Sequence, residues 1–487
     1  MRLKPTHTQT QPLFTPTFIP HPPPPILPLL VTLSIILFTP HCLTATTSPP
    51  QPTPDPPSPL SKDLPSLIEH ALEHNLELQI TRKEIEKAVG AQIQARSVRY
   101  PKLSLESRIE LRDQNLFNQS PPPIAGLDDY WIIHLYIHHP LYSGGANPNK
   151  IAIANLHHSN QLLLLEEKTQ DLIAQIKETY YTLILRNLEI QAQEQALSVL
   201  KKEIARQQAL FDAGQSPRFN LLRTQVAYNN IIPELDSLKN DAYRLLLHLA
   251  QLIGLPHHLY PSHLKLSHLP PSLPSPPRRP PNLESLTTAI QKRAEKKRLH
   301  NLSRIASHQI AIERSALYPK IDAFVSTRTR HSDPPSTRPS FFQTTQEIAF
   351  GILARWDIFD GFLAQGKILQ AQAQADIAAT QETQWLQHTH AQARLLTSEI
   401  LSLHYILQKQ QQNVSLAKQA LDLAQDSHAH GQLSLLDLLQ ANLDFTRARL
   451  HELKSLHRLL VAYTQLDRLI GHPPIHIHPS SLKISQQ

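Results

Sequence analysis

Two stretches of this chain run for more than sixty residues with neither glycine nor proline: 149–213, with 65 residues, and 367–430, with 64. Those two residue types are the strongest helix breakers, costing ~1 and ~3 kcal/mol relative to alanine inside a helix. Both stretches are instead rich in Ala, Leu, Gln, Glu and Lys. At 1.5 Å per residue each reaches roughly 95 Å as a helix. Helices of globular domains rarely exceed ~25 residues, so a pair this long confines the chain to a coiled coil or a helical barrel. Each run stops at a glycine, Gly214 or Gly431, where a short break reverses the chain into a second helix ending near Gly254 or Gly471.

The chain is written twice. Tyr100-Pro101-Lys102-Leu103 recurs as Tyr318-Pro319-Lys320-Ile321, an offset of 218. Leu141-Tyr142-Ser143-Gly144 recurs in kind as Ile358-Phe359-Asp360-Gly361, Gly214-Gln215 as Gly431-Gln432, and Ile253-Gly254 as Ile470-Gly471, all at 217. Each copy opens with a helical segment (64–99 or 283–317) that stops at the Tyr-Pro pair, because the residue before proline is driven out of the helical region. Two strand-like runs follow, then the long helix and the returning one. The expected organisation is a signal peptide over 1–45, a proline-rich linker over 46–62 and a first repeat over 63–255. A proline-rich junction over 256–282, a second repeat over 283–471 and a tail over 472–487 complete it. Pro233 is expected to interrupt the first returning helix, whose counterpart has Leu450.

The strand runs alternate. From Leu103 to Arg112 the odd positions are mostly apolar and the even ones polar, including Glu106, Arg108, Glu110 and Arg112. Ile321 to Arg330 sets Ile321, Ala323 and Val325 against Asp322, Arg328 and Arg330. Trp131, Ile133, Leu135 and Ile137 form one face of the second run. Ile348, Phe350, Ile352, Ala354, Trp356 and Ile358 oppose Glu347, Arg355 and Asp357 in the fourth. About ten alternating residues with aromatics near the ends is the pattern of an outer-membrane β-strand. The charged residues should then line a pore, and 114–129 and 331–345 should be external loops. Four strands cannot close a barrel, for which eight is the minimum; three copies would give twelve strands and four copies sixteen.

Composition removes other classes. Eleven glycines among 487 residues cannot supply a set of Rossmann turns or a glycine-rich phosphate cradle. The net charge of +7 is spread along the chain, without the clustered basic patch of a nucleic-acid binder. A single cysteine, Cys42, excludes an internal disulfide or a cysteine-based zinc site. It follows the short apolar run 26–38, which reads as a signal-peptide core rather than a span needing ~20 residues; lipidation of Cys42 is the lesser alternative. Among the 28 histidines are pairs, His138-His139, His157-His158, His257-His258, His428-His430 and His476-His478, that lie far apart and do not converge on a metal; only His428 and His430 at the second helix reversal invite a test of pH or metal sensitivity. No HExxH, GxSxG or GxxxxGK[ST] motif occurs, so no metal, cofactor or enzymatic activity is assigned.

With these residues in view, the chain resembles the TolC family of outer-membrane efflux proteins over 64–471. The resemblance rests on the Tyr-Pro-Lys strand starts, Pro140-Leu141-Tyr142-Ser143-Gly144-Gly145, and Tyr180-Tyr181-Thr182-Leu183. It rests most on the two helix tips, 209–216 and 431–439. It implies a mainly α chain with a membrane β-barrel. A duplicated unit of long coiled-coil helices plus four strands per protomer would trimerise into a twelve-stranded barrel continuous with an α-helical barrel. It also implies partners: two further copies, outer-membrane lipid, a periplasmic adaptor, and an inner-membrane pump of RND, ABC or MFS type. The adaptor would meet the tips at Gly214, Gln215, Ser216, Gly431, Gln432 and Ser434, with Ser216 and Ser434 capping the returning helices. A periplasmic gate would fall at Asp437, followed one turn on by Gln440, so that a trimer carries one ring of carboxylates. A soluble periplasmic coiled-coil adaptor or structural protein is the alternative, and the doubled strand set argues against it.

Overall fold

The computed structural model describes residues 63–112, 128–256, 269–277, 282–333, 343–430 and 432–471. The leader with Cys42, the 46–62 linker, Gly431 and the 472–487 tail lie outside the described residues.

The order of elements repeats. The first set is α1 (Leu64–His74), α2 (Leu76–Arg96), β1 (Lys102–Arg112), β2 (Asp128–Tyr142), α3 (Ala146–Asp212) and α4 (Arg218–Leu252). The second is α5 (Leu283–Lys292), α6 (Ala294–Arg314), β3 (Lys320–Asp333), β4 (Gln343–Arg355), α7 (Leu363–Ala429) and α8 (Leu435–Ile470). Both long helices have 67 residues. α3 begins before the proline-free run, because Pro148 falls in its first turn, where a missing N–H breaks no helical bond. The repeated turn motifs act alike: Ser143 Oγ accepts from the Asn147 N–H at 3.1 Å, and Asp360 Oδ2 accepts from the Ala364 N–H at 2.8 Å.

Several expectations need correction. Each opening helical segment is two helices. Asn75 leaves the helical region at ψ 126 and caps α2 by accepting from the Leu78 N–H, while its amide donates to Leu252 O at 2.8 Å. Arg293, with ψ 145, breaks the second copy at the equivalent place. Pro233 does not interrupt α4, which runs through it; proline removes one backbone donor and crowds one carbonyl, and the rest of this helix tolerates both. The strands overrun the expected loops, β2 starting at Asp128, β3 continuing to Asp333 and β4 starting at Gln343. β4 ends at Arg355, so Asp357 lies past the strand.

All four strands form one antiparallel sheet in the order β1-β2-β3-β4. Helix α3 packs against α2, α4, α6 and α8, whereas α7 packs against α5, α6 and α8. The two larger apolar clusters hold most of this arrangement. One gathers Ile68, Leu183, Ile190, Ala242, Leu246, Leu249 and Ile253. The other gathers Leu286, Ile400, Leu407, Leu459, Tyr463, Leu466 and Ile470. These are the same positions 217 or 218 residues apart, so the duplication extends to the packing of the core.

Polar ties join α3 of the first copy to helices of the second. Glu167 meets Arg298 on α6 at 2.9 Å. On α8, Arg468 meets Asp171 at 2.7 Å and Lys454 meets the buried Glu189 at 3.5 Å. Burial raises the Glu167 carboxyl from its ordinary pKa, opposed by the Arg298 guanidinium. Thr182 Oγ1 donates to Glu178 O at 2.7 Å, so at its 2.9 Å contact with His457 Nε2 the imidazole N–H donates.

Candidate functional site

The sheet register sorts the strand residues onto two faces, since directly opposed residues of an antiparallel pair point the same way. Leu105 faces Leu135, Ile109 faces Trp131, Ile137 faces Val325, and Val325 faces Phe350. This face is mainly apolar, with Ser107, Thr327, Thr329 and Gln346 interspersed, yet no described layer of the chain covers it. Leu105 is 69% exposed, Ile109 79%, Ile348 76% and Phe350 83%. A soluble sheet would bury such a surface against a second layer.

The other face carries the predicted charges. Glu106, His134, Arg328 and Glu347 lie in one row across the strands, and Arg108, Ile132, Arg330 and Thr345 in the next. Arg108 Nη2 meets Glu106 Oε1 at 3.2 Å. Arg328 lies opposite Glu347 in register, but the two make no ion pair. Arg355 lies opposite Lys320 at the helical end of the sheet. Glu110 and Arg112 belong to β1, opposite Tyr130 and Asp128. Asp357 is the predicted strand residue that this sheet does not hold. An unanticipated pair joins His138 Nε2 to Asp322 at 3.2 Å, while Tyr136 stacks on Phe324 with ring centroids 6.2 Å apart. Strands β1 and β4 are the sheet's two edges, and neither pairs outward with any described strand.

At the far ends of the long helices the chain reverses twice. After α3 the N–H of Gln215 reaches Leu210 O at 2.8 Å and that of Gly214 reaches Phe211 O at 2.9 Å. Gly214 takes the left-handed φ of +71 that this closure requires. Ser216 does not cap α4, contrary to expectation: Pro217 occupies the cap position. The Ser216 hydroxyl instead bonds Gln207 Oε1 at 3.0 Å and accepts from the Asn220 amide at 3.3 Å. At the second reversal the Gln432 N–H reaches Ser427 O at 2.9 Å, and Gly431 between them lies outside the described residues.

Ser434 does cap α8. Its Oγ accepts from the Asp437 N–H at 3.3 Å and lies 2.6 Å from Asp437 Oδ2, to which it donates. The arrangement is a variant of the capping box, with an acid in the helix's first turn where the dipole favours it. Gln440 donates to both oxygens of Asp444, at 3.0 and 3.1 Å. Asp437, Gln440 and Asp444 are all exposed and stand three and four residues apart, along one helix face. Asp444 was missed in the sequence, although its spacing from Gln440 was the signal that would have found it. His428 Nδ1 is 2.9 Å from Leu433 O, across the second reversal, while His430 Nδ1 is 2.8 Å from Asp426 O, back along the last turn of α7.

The family described as outer membrane efflux protein matches residues 67–255 and 300–472. The chain belongs to that family. No curated protein matches the sequence, but solved structures share the fold. The outer membrane protein VceC of Vibrio cholerae is 19% identical, with a TM-score of 0.70 over 84% of this chain and 96% of its own. The CmeC outer membrane channel of Campylobacter jejuni is 14% identical, with a TM-score of 0.70 over 87% and 90%. The open-state MtrE outer membrane channel of Neisseria gonorrhoeae is 15% identical, with a TM-score of 0.68 over 84% and 88%. The chain thus has the fold of TolC-like outer membrane channels, long helices joined to a small four-stranded sheet. Matches reach across both repeats, so the outer membrane efflux fold in this chain is a property of the duplicated unit.

Proposed function

We propose that this chain is the exit duct of a tripartite efflux or type I secretion system and conducts solutes passively out of the cell. The observation that carries this reading is a four-stranded sheet with one face apolar and bare, the other charged, and both edges unpaired. A bilayer tolerates no open sheet edge in its hydrocarbon core. Three chains joined edge to edge give twelve strands, with the apolar face toward lipid and Glu106, Arg108, Glu110, Arg112, Arg328, Arg330, Glu347 and Arg355 toward water. Turning the sheet inside out would cost ~2–4 kcal/mol for each arginine at the midplane.

In this reading the leader directs export, the repeats over 63–255 and 283–471 build the barrel wall, and the 256–282 junction lies between them. The long helices cross the periplasm. An adaptor docks at Gly214, Gln215, Ser216, Gly431, Gln432 and Ser434 and couples the duct to an inner-membrane pump, which supplies the energy. Asp437 and Gln440 narrow the periplasmic mouth, and Asp444 adds a second carboxylate level, since like charges around a small opening repel one another and attract cations. The duct needs no nucleophile, general base or cofactor.

The test is fractionation and reconstitution. The protein is expected in the outer membrane, released only by detergent, with heat-dependent gel mobility and discrete conductance steps in a planar bilayer. Release by mild osmotic shock without detergent would overturn the reading.

A further inference from the structure

The two copies have matching elements but unequal surroundings. Helices α2 and α6 correspond residue for residue at an offset of 218, and α3 and α7 at 217. The strands follow the same offsets: Lys102 opposes His138 in the first copy, and Lys320 opposes Arg355 in the second. Helix α3 lies against α2 of its own copy and α6 of the other, whereas α7 packs on α6 and makes no comparable contact with α2. The seam that α6 presents to the first copy recurs every seventh residue, through Ala294, Asn301, His308 and, just past the helix, Ser315. Ala294 and Ser315 are buried. The Asn301 amide donates to Asn160 Oδ1 at 2.9 Å and lies 3.5 Å from Ser159 Oγ, and His308 Nδ1 is 2.7 Å from Asn149 Oδ1. A Cβ on Gly144 would lie 2.7 Å from Ser315 O.

The equivalent seam on α2 is Leu76, Lys83, Gly90 and Ser97, and there Leu76 is 68% exposed. On α7 and the turn before it, Gly361, Gly366, Asp376 and Ile377 stand where the first copy has Gly144, Asn149, Ser159 and Asn160. Ile377 is 49% exposed, and no atom lies within 4 Å of where a Cβ would sit on Gly90, Gly361 or Gly366. A glycine inside a helix costs stability, and within one chain neither Gly90 nor Gly366 returns a contact for it.

We infer that a second copy of this chain docks on these two surfaces as the two copies dock within the chain, with α2 of one chain along the start of α7 of the next. Gly90 then faces Gly366 in the place of His308 and Asn149, and with neither side chain present the two backbones approach closely. Lys83, which meets Glu86 of its own helix at 2.9 Å, reaches Asp376 beside Ile377. Gly361 closes on Ser97 and Tyr100 as Gly144 closes on Ser315 and Tyr318. The correspondence also fixes the register of the open strand edges. His138 opposes Phe324 and Ile137 opposes Val325, so Arg355 falls opposite Glu106 of the next chain and Ala354 opposite Ser107. Within one chain the first two residues already share the charged face and the last two the apolar face, an agreement that a slip of one residue would destroy. The inference rests on the reading of the chain as part of an edge-paired ring and adds which residues meet.

The test uses the full-length protein in outer membranes, with Cys42→Ser as background. Lys83→Cys with Asp376→Cys is expected to give oligomer bands with a short bis-methanethiosulfonate. Lys83→Cys with Gln384→Cys, about two turns farther along α7, is expected to give monomer. Gly90→Leu and Gly366→Leu read the close approach. Leucine is the better helix former, so each substitution favours the isolated helix, yet each is expected to lower by several degrees the temperature at which the oligomer band is lost on gels. Helix content by circular dichroism checks that each variant folds. No cross-link at the matched pair, equal cross-linking of both pairs, or oligomers at least as heat-stable in the leucine variants would overturn the contact, while conductance in a planar bilayer would keep the conduit. A wild type that neither oligomerises nor conducts would remove the conduit itself, and the contact with it.

Discussion

Gly254 and Gly214 both adopt left-handed backbone, with φ of +75 and +71, but their surroundings differ. Around Gly214 nothing lies within 4 Å of where a Cβ would sit. At Gly254 a Cβ would run into the carbonyl of His74 and the backbone of Asn75, at the joint where Asn75 ties α1 and α2 to the end of α4. An alanine in the left-handed region costs ~1–2 kcal/mol from backbone alone. Gly214→Ala should lose about that much, measured as a fall in the thermal transition, and Gly254→Ala should lose ~3 kcal/mol, the upper range for single substitutions. Equal losses would show that the joint yields. Both glycines were legible as chain reversals from their repeat spacing. What the spacing did not reveal was the partner of Gly254, because His74 lies 180 residues away and marks a helix break that no proline or glycine announces.

Between elements, the contact of α3 with α8 carries a pH dependence. Burial holds the His457 imidazole below its ordinary pKa of 6.5, with Arg186 and Arg458 acting in the same direction and Glu189 opposing them. A depressed histidine contributes stability that is present above its ordinary value and lost as pH falls toward the folded one, since the unfolded chain takes up the proton first. Thermal stability should therefore drop between pH 7.5 and 5.5, and His457→Gln, which keeps an N–H for Thr182, should drop less. His70, also lowered mainly by burial, leaves part of the slope in that variant; an unchanged slope would exclude His457. Elements as such were readable in advance, because the 65-residue run and the alternating strands repeat at one offset. Ties such as Arg298 with Glu167 were not, since they join residues 131 apart on helices whose relative rotation no periodicity specifies. The same limit explains Ser216, which sits at a plausible capping position but yields it to Pro217 and bonds side chains within the reversal instead.

At the scale of the whole molecule, a single chain is unfinished in two places. The sheet ends in two free edges, β1 and β4. Helix α7 also leaves Leu363, Leu369, Ile377, Leu395, Leu401, Tyr405, Ile406, Leu416 and Leu423 exposed, which at 100° per residue fall on one side of the helix, within ~160°. Helix α3, packed by α1, α2, α4, α6 and α8, has no comparable stripe. Edge β1 belongs to the first copy, edge β4 and the α7 stripe to the second, and each calls for another chain beside it. Three copies and four copies satisfy the edges equally well by pairing alone, so counting decides. With Cys42→Ser to remove the native thiol, cysteines at Ser104 on β1 and at Thr345 or Ala349 on β4 lie on the charged face. Ser107 with Ala354 lies on the apolar face. A disulfide needs Cα atoms ~4.4–6.8 Å apart, so only the pair that matches the register between chains will close. On oxidation in intact outer membranes that pair should give dimer and trimer bands, with nothing larger, because a ring of three has no edge left to extend. A tetramer band would mean a sixteen-stranded barrel, and a continuous ladder would mean that the edges pair without closing, which a bilayer does not permit.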